Sequence, residues 1–240
     1  MPTIPEALQI AMVHHRDGRL TEASTIYRQI LQAQPRHVSA MHLLGVAAHQ
    51  SGQHERAIAL ISNAIRLDGG QAFFHMDLGE VYRACGQFEQ AKACFLKSIS
   101  LQPRLHMAHY NLALVHYAQG DSGAAQDCLR KAIDIYPSYV EAHNDLGNLL
   151  RVAGDFAAAE ASYRRAIAAN PDWFDTNVNL ALLLCERDQF EESRPYFLRA
   201  SELRPSDAKV RMHLGDLESA GHNWPAAAEW YERALAIDPT

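Results

Sequence analysis

The sequence lacks the features that mark several large classes of protein. No run of about 18 apolar residues occurs, so no stretch reads as a membrane-spanning helix. Cationic excess is also missing. Lys and Arg total 22 against 28 Asp and Glu, for a net charge of −6. A general nucleic-acid binder needs a basic face to release counterions, so that class is set aside. Cysteine is sparse. Cys85, Cys94, Cys128 and Cys185 form no Cys-x-x-Cys pair and read as small apolar residues kept reduced. The N-terminus has neither a basic start nor an apolar h-region, which excludes a secretory signal and leads to a cytoplasmic expectation. No His-Glu-x-x-His, Gly-x-Ser-x-Gly, Walker or Gly-x-Gly-x-x-Gly motif occurs, and no spacing sets a nucleophile beside a base. The expectation is a chain with no catalytic residues, no metal site and no cofactor. Gly/Ser linkers and low-complexity runs are absent too, so the 240 residues are read as one domain.

What is present is a 34-residue period. In residues 140–173, His143, Leu146, Gly147 and Leu150 share one face of a helix. Gly154 ends that helix, and Asp155 is placed to cap the next. Ala159, Tyr163 and Ala166 form a second stripe, and Pro171 stops it. Shifted by 34 residues, the types return. The Leu146 position holds Ile10, Leu44, Leu78, Leu112, Leu180 and Leu214. The next position is always Gly or Ala. The Tyr163 position holds Tyr27, Ile61, Phe95, Leu129, Phe197 and Tyr231. The Pro171 position holds Pro35, Pro103, Pro137, Pro205 and Pro239, and fails only at Gly69. Seven repeats result: 4–37, 38–71, 72–105, 106–139, 140–173, 174–207 and 208–240. One helix pair cannot bury its own apolar faces, so copies must stack. A small residue at Gly147 lets two backbones approach while an aromatic fills the space beside it.

Period, small residues, aromatic and proline resemble the tetratricopeptide repeat (TPR) pattern over essentially the whole chain. The fold class expected is all-α, a right-handed α-solenoid of seven helix-turn-helix repeats. The family's usual Trp is replaced by Ala7, Met41, His75, His109, His143, Asn177 and Arg211. Segments 108–113 and 142–147 further resemble the repeats of protein O-GlcNAc transferases and SPINDLY-type bacterial relatives. In that family an asparagine ladder in the concave groove holds the protein substrate. Here Asn111 and Asn179 match the ladder, and Asp77 and Asp145 depart from it toward more basic peptides.

Three local departures from the period carry expectations. The Asp68-Gly69-Gly70 junction, without its proline, is expected to be the softest seam. Asp188 replaces a turn glycine, and Pro195 falls inside a second helix, where it removes one backbone bond. Trp224 is expected to precede the last helix and staple it, with Pro225 at the first helical position. The chain ends on a repeat boundary without a polar capping helix. That leads to the expectation of a longer parent chain, or of self-association through uncapped ends.

Histidines His75, His109 and His143 recur once per repeat. Equivalent atoms of adjacent repeats lie roughly 8–10 Å apart, too far for shared zinc ligation, so each is read as a hydrogen-bonded ring at the helix seam. In the TPR family the first helix of each pair lines the concave side. A helical wheel with Leu146 in the core puts Glu141, Asn144, Asn148 and Arg151 opposite it. The groove expected on this basis comprises Asp77, Glu80, Arg83, Tyr110, Asn111 and Tyr117, followed by Asn144, Asp145, Asn148, Arg151 and Asn179. Amides carry both a donor and an acceptor and suit an extended peptide backbone. The functional expectation is a non-catalytic scaffold for an extended peptide or protein partner. The alternatives are the substrate-recruiting part of such a glycosyltransferase, or a self-assembling adaptor. Asn111→Ala with Asn179→Ala is expected to weaken binding with little change in melting.

Overall fold

A computed structural model describes residues 2–238. Fourteen α-helices follow one another among them, paired as helix-turn-helix repeats: α1 (Ile4–Arg16) with α2 (Leu20–Ala33), α3 (Val38–Gln50) with α4 (His54–Leu67), α5 (Ala72–Ala84) with α6 (Phe88–Leu101), α7 (His106–Ala118) with α8 (Ser122–Ile135), α9 (Val140–Val152) with α10 (Phe156–Ala169), α11 (Phe174–Cys185) with α12 (Phe190–Leu203), and α13 (Ala208–Ala220) with α14 (Trp224–Leu235). The chain divides into two compact units, Met1–Cys128 and Leu129–Thr240, with the division inside α8. Pro239 lies outside the described residues, so its expected role as the last helix stop does too.

The core shows why a lone repeat cannot stand. In the first unit, one cluster joins Ala11 of α1, Ala23, Tyr27 and Ile30 of α2, and Ala40 and Leu44 of α3. The next joins Ala48 of α3, Ala57 and Ile61 of α4, and Leu78 and Val81 of α5. In the second unit, Ala181, Phe197 and Ala200 meet Val210, Leu214 and Leu217 of α13. In each of these three clusters a helix pair completes its core with the first helix of the following pair, as expected where a repeat's apolar area exceeds what it can hide alone.

The small positions hold the pairs close. A Cβ added at Gly79 would lie 2.7 Å from the Phe95 ring, and one at Gly147 would lie 2.5 Å from Tyr163. The turns close through one left-handed residue each. Gly154 has φ +80°, while Asp188 at +57° and His222 at +58° do the same work without being glycine. Gly221 has an ordinary φ of −78°, so in the last repeat the strained position falls to His222. The left-handed region costs a side-chain-bearing residue about 1–2 kcal/mol, partly offset by the chain entropy that glycine loses. His222→Gly is therefore expected to stabilise the protein by about 0.5–1 kcal/mol, read as a raised melting temperature. An unchanged or lowered value would contradict the strain assigned to that turn.

Three local expectations meet the structure differently. Pro195 sits inside α12, which continues to Leu203; it leaves the Glu191 carbonyl without an amide partner inside the helix and does not end it. The Asp68–Gly70 junction is braced. Gly70 N donates to Asp68 Oδ1 at 3.2 Å, Gln71 Nε2 donates to Asp68 Oδ2 at 2.9 Å, and the His75 ring meets the Gly69 carbonyl at 3.1 Å. The stapling role expected of Trp224 is corrected. Asn223 is the N-cap, Trp224 is the first residue of α14, and its side chain is 61% exposed. Pro225 accordingly takes the second helical position.

Candidate functional site

At the fourth position of four first helices, where the family carries Trp, His75, His109, His143 and Asn177 tie the helix to the turn before it. His109 Nε2 bonds the Pro103 carbonyl at 3.0 Å, and His143 Nε2 bonds the Pro137 carbonyl at 2.8 Å. Asn177 Nδ2 does the same at 2.9 Å to Pro171 O and again to Trp173 O. A carbonyl can only accept, so each ring carries its proton on Nε2. The His143 Nδ1 atom is buried without a partner. Burial, followed by the Arg165 charge acting against the Pro137 bond, holds the His143 pKa below its ordinary value. These rings belong to the scaffold, and among the described residues no group of three or more His, Cys, Asp and Glu can hold a metal ion.

A pH dependence follows from that buried nitrogen. The native state holds His143 neutral while the unfolded chain takes a proton near the ordinary value of about 6.5. The unfolded state binds more protons, so stability falls as pH drops from about 6.5 through the lowered native value. His143→Asn should remove this component, because Asn177 shows that an amide makes the same bond. His143→Ala should cost about 1–3 kcal/mol by orphaning the Pro137 carbonyl. Urea unfolding at pH 7 and pH 5 checks both; an Asn variant with the full wild-type pH slope would contradict the assignment.

The first helices carry the expected groove residues, and each unit presents its own set. In the first unit, Asp77 and Glu80 lie one turn apart on α5. His42 Nε2 meets Asp77 Oδ2 at 2.6 Å, with the His42 ring stacked on Phe74 at 4.1 Å. Asn111 Nδ2 donates to Glu80 Oε1 at 2.7 Å. Burial pushes the Glu80 pKa up, and the neighbouring Asp77 charge adds to it; the Asn111 bond and Arg83 oppose the rise. His49 on α3 is held low by burial, then by His54 and Arg83, with Asp77 opposing. The Arg83 Nε atom is buried without a partner. Tyr110 is half-buried, and Tyr117 is 61% exposed.

In the second unit, Asn144 is the hub. Its Oδ1 accepts from Thr176 Oγ1 at 3.1 Å and Asn179 Nδ2 at 3.0 Å, while its own Nδ2 donates to Asp145 Oδ1 at 3.2 Å. Asn148 Oδ1 accepts from the Tyr163 hydroxyl at 2.7 Å. Arg151 pairs with Glu186 at 2.5 Å, and its Nε atom is buried without a partner.

Two positional expectations are corrected. Asn144, placed opposite the core by the helical wheel, is only 8% exposed, and Asn111 is only 7% exposed. The reason is a first helix of a neighbouring pair: α11 packs against α9 over Asn144, and α5 packs against α7 over Asn111. A wheel drawn for one helix pair omits that neighbour. Asn111 and Asn179 therefore brace adjacent repeats. Removing both should lower stability by about 1 kcal/mol per lost bond, contrary to a neutral effect on melting.

Each bracing amide nevertheless uses only part of its hydrogen-bonding capacity. Asn111 Oδ1, Asn179 Oδ1 and the Asn148 amide hydrogens have no partner among the described residues. None is a buried orphan, so all three can reach a ligand.

Tetratricopeptide repeat family profiles match residues 3–68, 71–138, 110–172 and 178–240. The chain belongs to the tetratricopeptide repeat family. Its seven helix pairs are TPR repeats in an all-α solenoid, with no catalytic domain evident. No curated protein matches. Among solved structures, Pseudomonas aeruginosa PilF is similar at TM-score 0.78 and 16% identity, covering 89% of this chain and 97% of PilF. YrrB, described as a TPR protein with an unusual peptide-binding site, is similar at TM-score 0.60 and 18% identity, covering 79% of this chain and 97% of YrrB. MamA is similar at TM-score 0.60 and 23% identity, covering 68% of this chain and 95% of MamA. At these identities the likeness carries the fold alone. The matches support the TPR family and not its O-GlcNAc transferase branch in particular. No helix among the described residues is long and apolar enough to cross a membrane.

Proposed function

We propose that this TPR chain is a non-catalytic scaffold that holds extended peptide segments of a partner protein along the first-helix faces within each unit. The observation that carries this reading is the half-used amide at Asn111, Asn148 and Asn179. Each is fixed on one side by a bond to the stack at 2.7–3.0 Å and keeps donors or acceptors on the other. A pre-positioned amide can pair with a peptide backbone whatever the peptide's side chains, and fixing it in advance lowers the ordering cost of binding. The exposed Tyr117 ring supplies apolar contact on α7, the helix that carries Asn111.

The test is capture from a random peptide library. Wild type is expected to retain a defined subset of peptides, and Tyr117→Ala is expected to lose most of that retention with an unchanged melting temperature. Asn111→Ala with Asn179→Ala should also lose it, in a variant shown by circular dichroism to remain folded. Equal retention by all three proteins would contradict the reading.

A further inference from the structure

An asparagine side chain that is free to turn over offers a ligand either its oxygen or its NH2 group. In the second unit, charged neighbours remove that choice from two amides. Asn144 Nδ2 donates to Asp145 Oδ1 at 3.2 Å, and a carboxylate oxygen only accepts. Asn144 therefore presents Oδ1 to α11, where Thr176 Oγ1 and Asn179 Nδ2 donate to it at 3.1 and 3.0 Å. Asn179 has its donor side engaged in the stack, and the side it keeps for a ligand is Oδ1, an acceptor.

Asn148 is fixed the other way. Arg151, paired with Glu186, donates to the Tyr163 hydroxyl and has no means of accepting from it. The hydroxyl turns its own hydrogen to Asn148 Oδ1 at 2.7 Å. What Asn148 keeps for a ligand is its NH2 group, a donor. Asn148 and Asn179 are both half-buried, so each anchored side lies in the stack while the other reaches solvent. Their anchors have no room to swing: Tyr163 is fully buried and Asn144 is 8% exposed. Asn179 sits beside Asn144, one turn of α9 from Asn148, a rise of about 6 Å over four residues. Two residues of extended peptide cover about 6.6 Å. One short segment can therefore offer an N–H to the first amide and a carbonyl to the second.

We propose that the second unit selects its peptide by backbone chemistry, with Asn179 Oδ1 accepting from one peptide N–H and Asn148 Nδ2 donating to a peptide carbonyl close to it. Proline, which has no N–H, is then excluded from the position that meets Asn179. So is any N-alkylated residue, because an acceptor that cannot turn over is left without a donor. This rests on the peptide-binding reading above and adds a selection rule to it.

The experiment uses the whole chain and a peptide retained from the random library, with each backbone N–H replaced in turn by an ester oxygen. The replacement removes one donor and adds no bulk. Wild type is expected to lose about tenfold in affinity at one position, read by fluorescence anisotropy. The same ester should cost less than about threefold in Asn179→Ala, where the acceptor it offends is gone. Asn148→Asp keeps the acceptor for Tyr163 but replaces the outward donor with an acceptor, and should bind the all-amide peptide about tenfold more weakly. Circular dichroism and melting curves confirm that both variants fold. A scan with no sensitive position, a penalty undiminished in Asn179→Ala, or full affinity in Asn148→Asp would overturn the proposal. The two readings fail differently. Retained peptides with a flat ester scan sink the backbone rule and leave the scaffold standing, whereas a library from which nothing is retained sinks the scaffold itself.

Discussion

Gly147→Val is expected to destabilise the second unit by about 3 kcal/mol or more, at the upper end of overpacking costs. The new Cβ would stand 2.5 Å from the Tyr163 ring. The ring has no room to retreat, since Tyr163 is fully buried. Its hydroxyl is also held by Asn148 at 2.7 Å, and burial pushes its pKa up to about 12. Opening the helix pair is the remaining way to relieve the clash, and it would pull α9 from the seam with α11. The compensating change is specific. Gly147→Ala alone should cost about 2 kcal/mol, and Tyr163→Leu placed beside it should recover part of that by vacating the ring's volume. Denaturant unfolding of the four proteins measures the coupling. Additive effects, with no recovery in the double variant, would show that ring and glycine do not share one space.

The second large effect concerns an ion pair that breaks the repeat pattern. Glu218 stands where the two preceding repeats carry Leu184 and Leu150, yet it is only 5% exposed. Arg194 of α12 pairs with it, and Asn223 Nδ2 donates to its other oxygen at 2.8 Å. The two halves of the pair differ in solvation, because Arg194 is about half-exposed while Glu218 is sealed. Removing Arg194 leaves a buried carboxylate without its cation, so Arg194→Met should cost about 2–3 kcal/mol, somewhat below the 3–5 of a fully buried pair. Glu218→Leu restores the repeat residue and leaves only a solvated guanidinium behind. It should be neutral or stabilising by up to about 1 kcal/mol. Thermal melts of both variants read the asymmetry, and equal losses in the two would contradict the burial assigned to the acid.

The contrast between these two sites shows what a sequence of this kind reveals. Gly147 and Tyr163 were legible because every repeat places the same residue types in the same surroundings, so one position is seen several times. The same logic gave the left-handed turn at Asp188 and the N-cap at Asp155, whose side chain accepts from Ala158 N at 3.1 Å. Glu218 and Arg194 were not legible, because their separation matches neither the helical period nor the repeat. Asn144 was misplaced for a related reason. Its burial comes from Thr176 and Asn179 on α11, a neighbour that a wheel for one helix pair does not contain. The left-handed His222 is not legible in the sequence because Gly221, one place earlier, is the residue type such a turn favours.

Peptide binding by first-helix faces is most directly tested by photocrosslinking. A benzoylphenylalanine is placed at position 117 on α7 and, in a second protein, at position 96 on α6; both side chains are exposed in the native chain. With library-selected peptides bound, position 117 should crosslink to peptide and position 96 should not. Crosslinks from position 96 with none from position 117 would put the ligand on the second helices and contradict the account.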